Sequence, residues 1–393
     1  ATAATDLPLR GIRVVDFGQF VAGPMCGKML LDQGADVIHI GPPRPSWNSQ
    51  ANSVLNMGKH LVTLDLKDAK DVQKARDLYI SKADILIENF PPGRMDKFGL
   101  GADAMLKAYP GLIYVSMPGF ASGDEEFQDV KAHEHVIMAR AGIFWDMGIS
   151  RSLRGVNPSY SPLPLASSYG GILAGAAAVA ALYAREDTGI GDHIEIPLAS
   201  ALLDALCFNT LDVDDLPRRY WGKRTEELFR RRRDGIPMDM TFEQVEDMLD
   251  PFFKTYYCKD GRPFYIVGMG HMKHVARTLQ VLNCEKEVLE ILPFGDLWAR
   301  EQQTYQGDSV LGQYHLREPY SKQIIDIFKE RFKAKTAFEW EQEFGAIRVP
   351  TSATRTTQEW VNSDHARASG LMRPAPSRPV GTGTEDGAMG TGF

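Results

Sequence analysis

Residues 13–40 read RVVDFGQFVAGPMCGKMLLDQGADVIHI, and this stretch decides the fold. An apolar run ends in Asp16. The small-residue turn Val21-Ala22-Gly23-Pro24 follows, and Met25, Met29 and Leu30 then space a helix. Gly34-Ala35-Asp36 ends that helix, and Val37 to Ile40 returns as a strand. This is the opening unit of a nucleotide-type α/β fold. The turn is not G-x-G-x-x-G, so the tight pyrophosphate cradle of a dinucleotide site is missing. A ligand other than NAD is expected over it.

The alternation continues outward. Strands are expected at 61–66, 85–87 and 112–115, with a helix over 72–81, which predicts a parallel sheet covered on both faces. The small apolar stretch 170–182 (GGILAGAAAVAAL) is too short and too rich in Ala and Gly to span a bilayer. It predicts a tightly packed core or interface helix. Gly189 and Gly191 mark a turn before a strand at 193–196, and 200–208 reads as a helix. Further on, 252–258 and 263–267 flank the turn Lys259-Asp260-Gly261-Arg262 as a hairpin. Helical patterns cover 273–283 and 321–332. The reading is a large Rossmann-like domain over 1–224 and a smaller α/β domain over 225–320. The segment 321–393 is expected to return to the large domain.

Composition narrows the function. The chain has 393 residues, 44% of them hydrophobic, enough for two domain cores. A net charge of −7 argues against general nucleic-acid binding. Cys26, Cys207, Cys258 and Cys284 show no metal spacing, so no metal is expected and the thiols read as reduced and buried. Without a signal-peptide pattern, the expectation is a cytoplasmic protein with no membrane partner. Arg230 to Arg233 are interleaved with acids and read as a solvated face. Met238, Met240 and Met248 read as core packing.

Six segments in order carry a family resemblance: DFGQFVAGP with GADVIHI, NMGKHLVTLDLK, ADILIENFPPGRMDKFGL, LIYVSMPGFA, ALYAREDTGIGDHIEIPLASALLDAL, and RVPTSATRTTQEWVNSDHARASGL. Together they resemble the class III CoA-transferases, the CaiB–BaiF family, over essentially the whole chain. The resemblance implies two subunits threaded through each other as linked rings, with coenzyme A or an acyl-CoA as substrate. It implies CoA contacts at Lys59, Asn89, Phe90, Lys97 and Lys131, with the Val21-Ala22 backbone along the thioester channel. Asn89 and Phe90 follow a strand end, where open α/β sheets bind ligands. Arg94 and Lys97 offer charge to phosphate. His133, Glu134 and Ser168 fall in site-lining positions.

The family's chemistry needs a carboxylate that forms a mixed anhydride and then an aspartyl-CoA thioester, because such adducts stay exchangeable. Counting back from Arg185 places Ser167 at that Asp position; a one-residue shift would place Ser168 there. Neither is acidic, so this chain carries no catalytic residue of the family type. The expected glycine-rich covering loop is instead acidic and Met-rich over 235–250, and Gly41-Pro42-Pro43 replaces the usual Glu-Arg after the second strand. The resemblance therefore implies a CoA-transferase subunit, moving CoA from an acyl-CoA donor to a carboxylic acid. It would support a homologous Asp-bearing partner, as in heteromeric members such as the benzylsuccinate CoA-transferase pair or in fused ones. The alternatives are an acyl-CoA racemase or epimerase using His133, and a non-catalytic CoA-binding protein.

Overall fold

The computed structural model describes residues 7–43, 50–127, 130–146, 149–206, 222–268, 271–292, 316, 319–370, 372–374 and 389–391. Cys207 lies outside them, as do Met269 and Gly270. The chain forms two compact units, one of residues 1–144, 160–211 and 364–393 and one of residues 145–159 and 212–363. The division differs from the expected one. Residues 321–363 group with the second unit, where the Tyr320–Phe332 helix buries Ile324, Ile325, Phe328 and Phe332 in that unit's core.

The first unit is built on a six-stranded parallel sheet. Its strands are β1 (Arg13–Asp16), β2 (Asp36–Gly41), β3 (His60–Thr63), β4 (Ile85–Glu88), β5 (Ile113–Ser116) and β6 (His193–Glu195), in the order β3-β2-β1-β4-β5-β6. The chain reverses direction across the sheet between β1 and β4, which makes the crevice above those two strands the expected ligand site. Side chains alternate between faces. Val14, Ile85, Ile87, Ile113 and Val115 pack under one helical layer, and Val15, Leu86 and Tyr114 pack under the other. Burial on both faces explains the nearly unbroken apolar runs in the sequence.

One helical layer holds helix α1 (Ala22–Asp32) against the long helix Leu165–Thr188. Small residues permit the close approach. A Cβ on Gly171 would lie 2.8 Å from the Ala22 carbonyl oxygen, and one on Gly170 would lie 2.5 Å from Leu198. The long helix meets the length and composition of a membrane span, yet it packs on α1 and on the Leu198–Ala205 helix. Arg185 near its end donates to Asp84 at 2.9 Å and to the Gly111 carbonyl at 2.8 Å. Those contacts hold the helix in register with the sheet.

Beneath the first turn lies a buried ion pair. Lys59 Nζ donates to Asp16 Oδ2 at 2.8 Å, to the Pro24 carbonyl at 2.8 Å and to Asn56 Oδ1 at 3.0 Å. Asp16 also accepts from Gly18 N at 2.7 Å and stands 3.2 Å from His39 Nδ1. Burial alone would raise the Asp16 pKa, but Lys59 and His39 hold its carboxyl well below the usual carboxylate range. Burial, with the same carboxylate adding to it, pushes the neighbouring Cys26 thiol far up, so it is inert.

The second unit pairs β7 (Phe253–Tyr257) with β8 (Pro263–Val267) as the expected hairpin, and β9 (Thr351–Ala353) joins β8 antiparallel. Tyr256 stacks on Phe332 at 4.7 Å in an aromatic core. Residues 235–250, where a glycine-rich loop was expected from the family pattern, include a capped helix at Phe242–Glu246. Met240 is buried there, with Met238 and Met248 packed beside it. Asp250 is fully buried, which pushes its carboxyl up to about 7.

Two outcomes follow. Lys59→Met leaves Asp16 charged and buried without its partner, and should cost about 3–5 kcal/mol in urea unfolding. Adding Asp16→Asn should recover part of that loss; equal stability of the single variant and the parent would contradict the assignment. Asp250, with its pKa raised by folding, favours the native state below its unfolded value, and this contribution is lost as pH rises to about 7. Asp250→Asn should therefore show a flatter unfolding midpoint than the parent between about pH 4 and 7.

Candidate functional site

The crevice above β1 and β4 is tied shut at its base. Asn89 accepts from Gln19 N at 2.7 Å and donates to the Gln19 carbonyl at 2.8 Å. Its amide thus bridges the turns that follow the two central strands. The β1 turn folds back on itself so closely that a Cβ on Gly18 or Gly23 would lie 2.4 Å from the other's Cα. Both positions are therefore confined to glycine. Phe20, at the tip, has φ +60, a backbone region costly for a non-glycine residue. Its ring meets His133 edge-on at 6.1 Å.

Val21 and Ala22 lead into α1, and Ala22 lies against Gly171, one helical turn beyond Ser167. The helix Glu134–Arg140 brings its first residue to the start of the Leu165–Thr188 helix. Glu134 Oε1 accepts from Ala166 N at 2.8 Å. Glu134 Oε2 accepts from Ser167 N at 2.9 Å and from Ser167 Oγ at 2.5 Å. Glu134 therefore caps a helix whose own N-cap, Pro164, has no side chain to do it. Ser167 is buried and faces Glu134; Ser168 is half-buried and bonds through its amide to the Pro164 carbonyl. Phe20, Val21, Ala22, His133, Glu134 and Ser167 thus meet around one helix N-terminus.

The other residues named from the sequence lie apart from that helix N-terminus. Lys59 was expected on the coenzyme, but all three ammonium protons are spent inside the fold, and its side chain is buried. A lysine has three donors, so this one has none left for phosphate. Arg94 and Lys97 stand exposed on the turn after β4, with the Arg94 guanidinium 5.3 Å over the Phe98 ring. Lys131 is exposed two residues before His133. Phe90 is half-buried and borders a cavity of about 210 Å³.

The sequence reading missed what lines that cavity. Glu88, 7% exposed at the end of β4, is pushed up to about 8 by burial. Ser116 and His193 lie within 2.7 Å of each other beside it. A glutamate closing the apolar run Ile85-Leu86-Ile87 was the available signal, because both faces of a central strand are covered.

The profile of CoA-transferase family III matches residues 9–388. Over 387 residues the chain is 44% identical to the CoA-transferase/lyase DddD of Marinomonas sp. (strain MWYL1). That match takes in 98% of this chain but only 46% of the relative. Identity to the alpha-methylacyl-CoA racemase of Mus musculus is 28% over 380 residues, 95% of this chain and 85% of that protein. The crystal structure of Rv3272 from Mycobacterium tuberculosis shares the fold, with a TM-score of 0.68 at 21% identity over 93% of this chain and 89% of that one. Across two units and nearly its full length, then, the chain belongs to CoA-transferase family III, the CaiB–BaiF enzymes.

Proposed function

We propose that this chain is the half of a CoA-transferase that lacks the attacking carboxylate, and that it works with a homologous Asp-bearing domain or subunit. The observation that carries this reading is the pairing of Ser167 with Glu134. The Ser167 hydroxyl spends its proton on a carboxylate, and no imidazole accepts from it among the described residues. The Ser–His arrangement of a hydrolase is therefore not formed at this serine, and the carboxylate it faces is already held by two backbone amides. Glu134 in turn receives three hydrogen bonds from the start of one helix, so both of its oxygens are engaged in capping that helix.

The rest of the machinery would come from the partner. This chain would contribute its crevice, the Val21-Ala22 turn beside the thioester, and Asn89, Phe90, Arg94, Lys97 and Lys131 toward the coenzyme. Lys59 is not among these, since it serves the fold. The length of DddD, of which this chain spans 46%, favours a partner of the fused kind over a benzylsuccinate-type pair of separate chains. A racemase would need a second acid–base group opposite His133, and the same serine stands in its place.

Native mass spectrometry of the protein from its own cells, with acyl-CoA present, tests the proposal. A complex or longer polypeptide with an Asp-bearing homologous domain is expected; turnover by a homo-oligomer of this chain alone would overturn it. Ser167→Asp, assayed alone for CoA exchange between an acyl-CoA and a free carboxylate, should not reach the activity of a competent family member, because the covering segment has also changed. Glu134→Ala should cost about 1–3 kcal/mol by leaving two amides and a hydroxyl unpaired, and Glu134→Gln should cost less. Chemical denaturation of the pair gives the comparison.

A further inference from the structure

The cavity beside Phe90 lies on the sheet face opposite the Leu165–Thr188 helix. Its floor is formed by Glu88, Ser116 and Glu195, which are neighbours in register across β4, β5 and β6. Asp96 and Asp103 border it from the adjoining turn and helix, and Phe90 and Tyr114 add aromatic surface. No lysine or arginine lines it among the described residues; Arg94 and Lys97 of the same turn stand outside. Three more observations define its chemistry. Glu88 is more than nine-tenths buried, its Oε2 accepts from Phe90 N at 2.7 Å, and its Oε1 has no hydrogen-bond partner among the described residues. Glu195 is held by Ser122 N at 3.0 Å, so a second carboxylate is fixed in place. No group of three metal-ligating side chains occurs among the described residues, and the aromatic surface beside the acids suits an organic cation.

We propose that this cavity binds a small organic ammonium ion, held between the carboxylates of Glu88, Glu195, Asp96 and Asp103 and the faces of Phe90 and Tyr114. The site goes beyond the transferase reading, uses none of the residues around Ser167, and shares Phe90 alone with the residues placed toward the coenzyme. An N–H donor supplies what Glu88 Oε1 lacks, and aromatic faces attract cations. The acids explain why Glu88 is hard to ionise: burial raises its pKa most, and Asp96 and Glu195 add to the effect. A cation in their midst reverses that balance, so binding should release a proton and tighten as pH rises through about 8. His193, which shares a hydrogen bond with Ser116, and Tyr114, which donates to the Leu100 carbonyl, are the other titratable groups facing Glu88.

The test is a thermal-shift and calorimetric titration with butylammonium chloride, alongside butanol and sodium chloride. A saturable rise in Tm is expected for butylammonium alone, with affinity at least about threefold tighter at pH 9 than at pH 6.5. Glu195→Gln and the exposed Asp103→Asn should each weaken it several-fold, and Glu88→Gln should remove the pH dependence. Equal shifts with butanol or sodium chloride would overturn the proposal, as would binding indifferent to all three variants. Displacement of butylammonium by adenosine diphosphate would also overturn it, by making the cavity part of a nucleotide site.

Discussion

The pair of Lys59 and Asp16 is the contact on which the first unit turns. Four separate stretches of chain converge on it: the end of β1, the start of α1, His39 in β2, and the loop ending at Lys59. Space for it is made by glycine. A Cβ on Gly27 would lie 2.9 Å from Asp16 Oδ2 and 3.0 Å from Lys59 Nζ. A buried ion pair is weak evidence for net stability, because desolvation offsets much of the attraction. Its larger effect is on geometry. With every polar atom engaged, the turn after β1 has one arrangement, and α1 leaves the sheet at one angle.

That constraint reaches the ligand crevice and the opposite helix. The turn fixed by Asp16 presents Gln19 to Asn89, and α1 presents Ala22 to Gly171. The long helix is then positioned along its length by α1 and at its end by Arg185. Ser167 sits where this frame places it, at an N-terminus that favours negative charge. The charge there comes from Glu134, on a neighbouring helix. On the reading proposed above, this frame would be the scaffold of a nucleophile site, with Ser167 where the carboxylate would stand.

The sheet was legible because burial on both faces writes long apolar runs into the sequence, as in Ile85 to Ile87 and Leu112 to Val115. The small-residue helix was legible for a similar reason: Gly170, Gly171 and Gly175 have no use on a solvated face. The bond from Lys59 to Asp16 left no mark in the sequence, because a lysine after a glycine looks the same whether it reaches solvent or an aspartate 43 positions away. Glu134 was named as a lining residue, but its capping of Ala166 and Ser167 depends on a contact between distant segments that no local pattern records. The same holds for the boundary of the second unit. Residues 321–363 carry helix periodicity, yet periodicity does not say which core the apolar face enters.

Asn89 binds both the amide and the carbonyl of Gln19, and this has a thermodynamic consequence for whatever occupies the crevice. An aspartate could not donate to the carbonyl, and a shorter side chain could not span the gap, so the residue type is set by the need to do both. Two loops that would otherwise fluctuate independently are joined before any ligand arrives. Their loss of freedom is then charged to folding, and a ligand bound between them would have that much less ordering to supply.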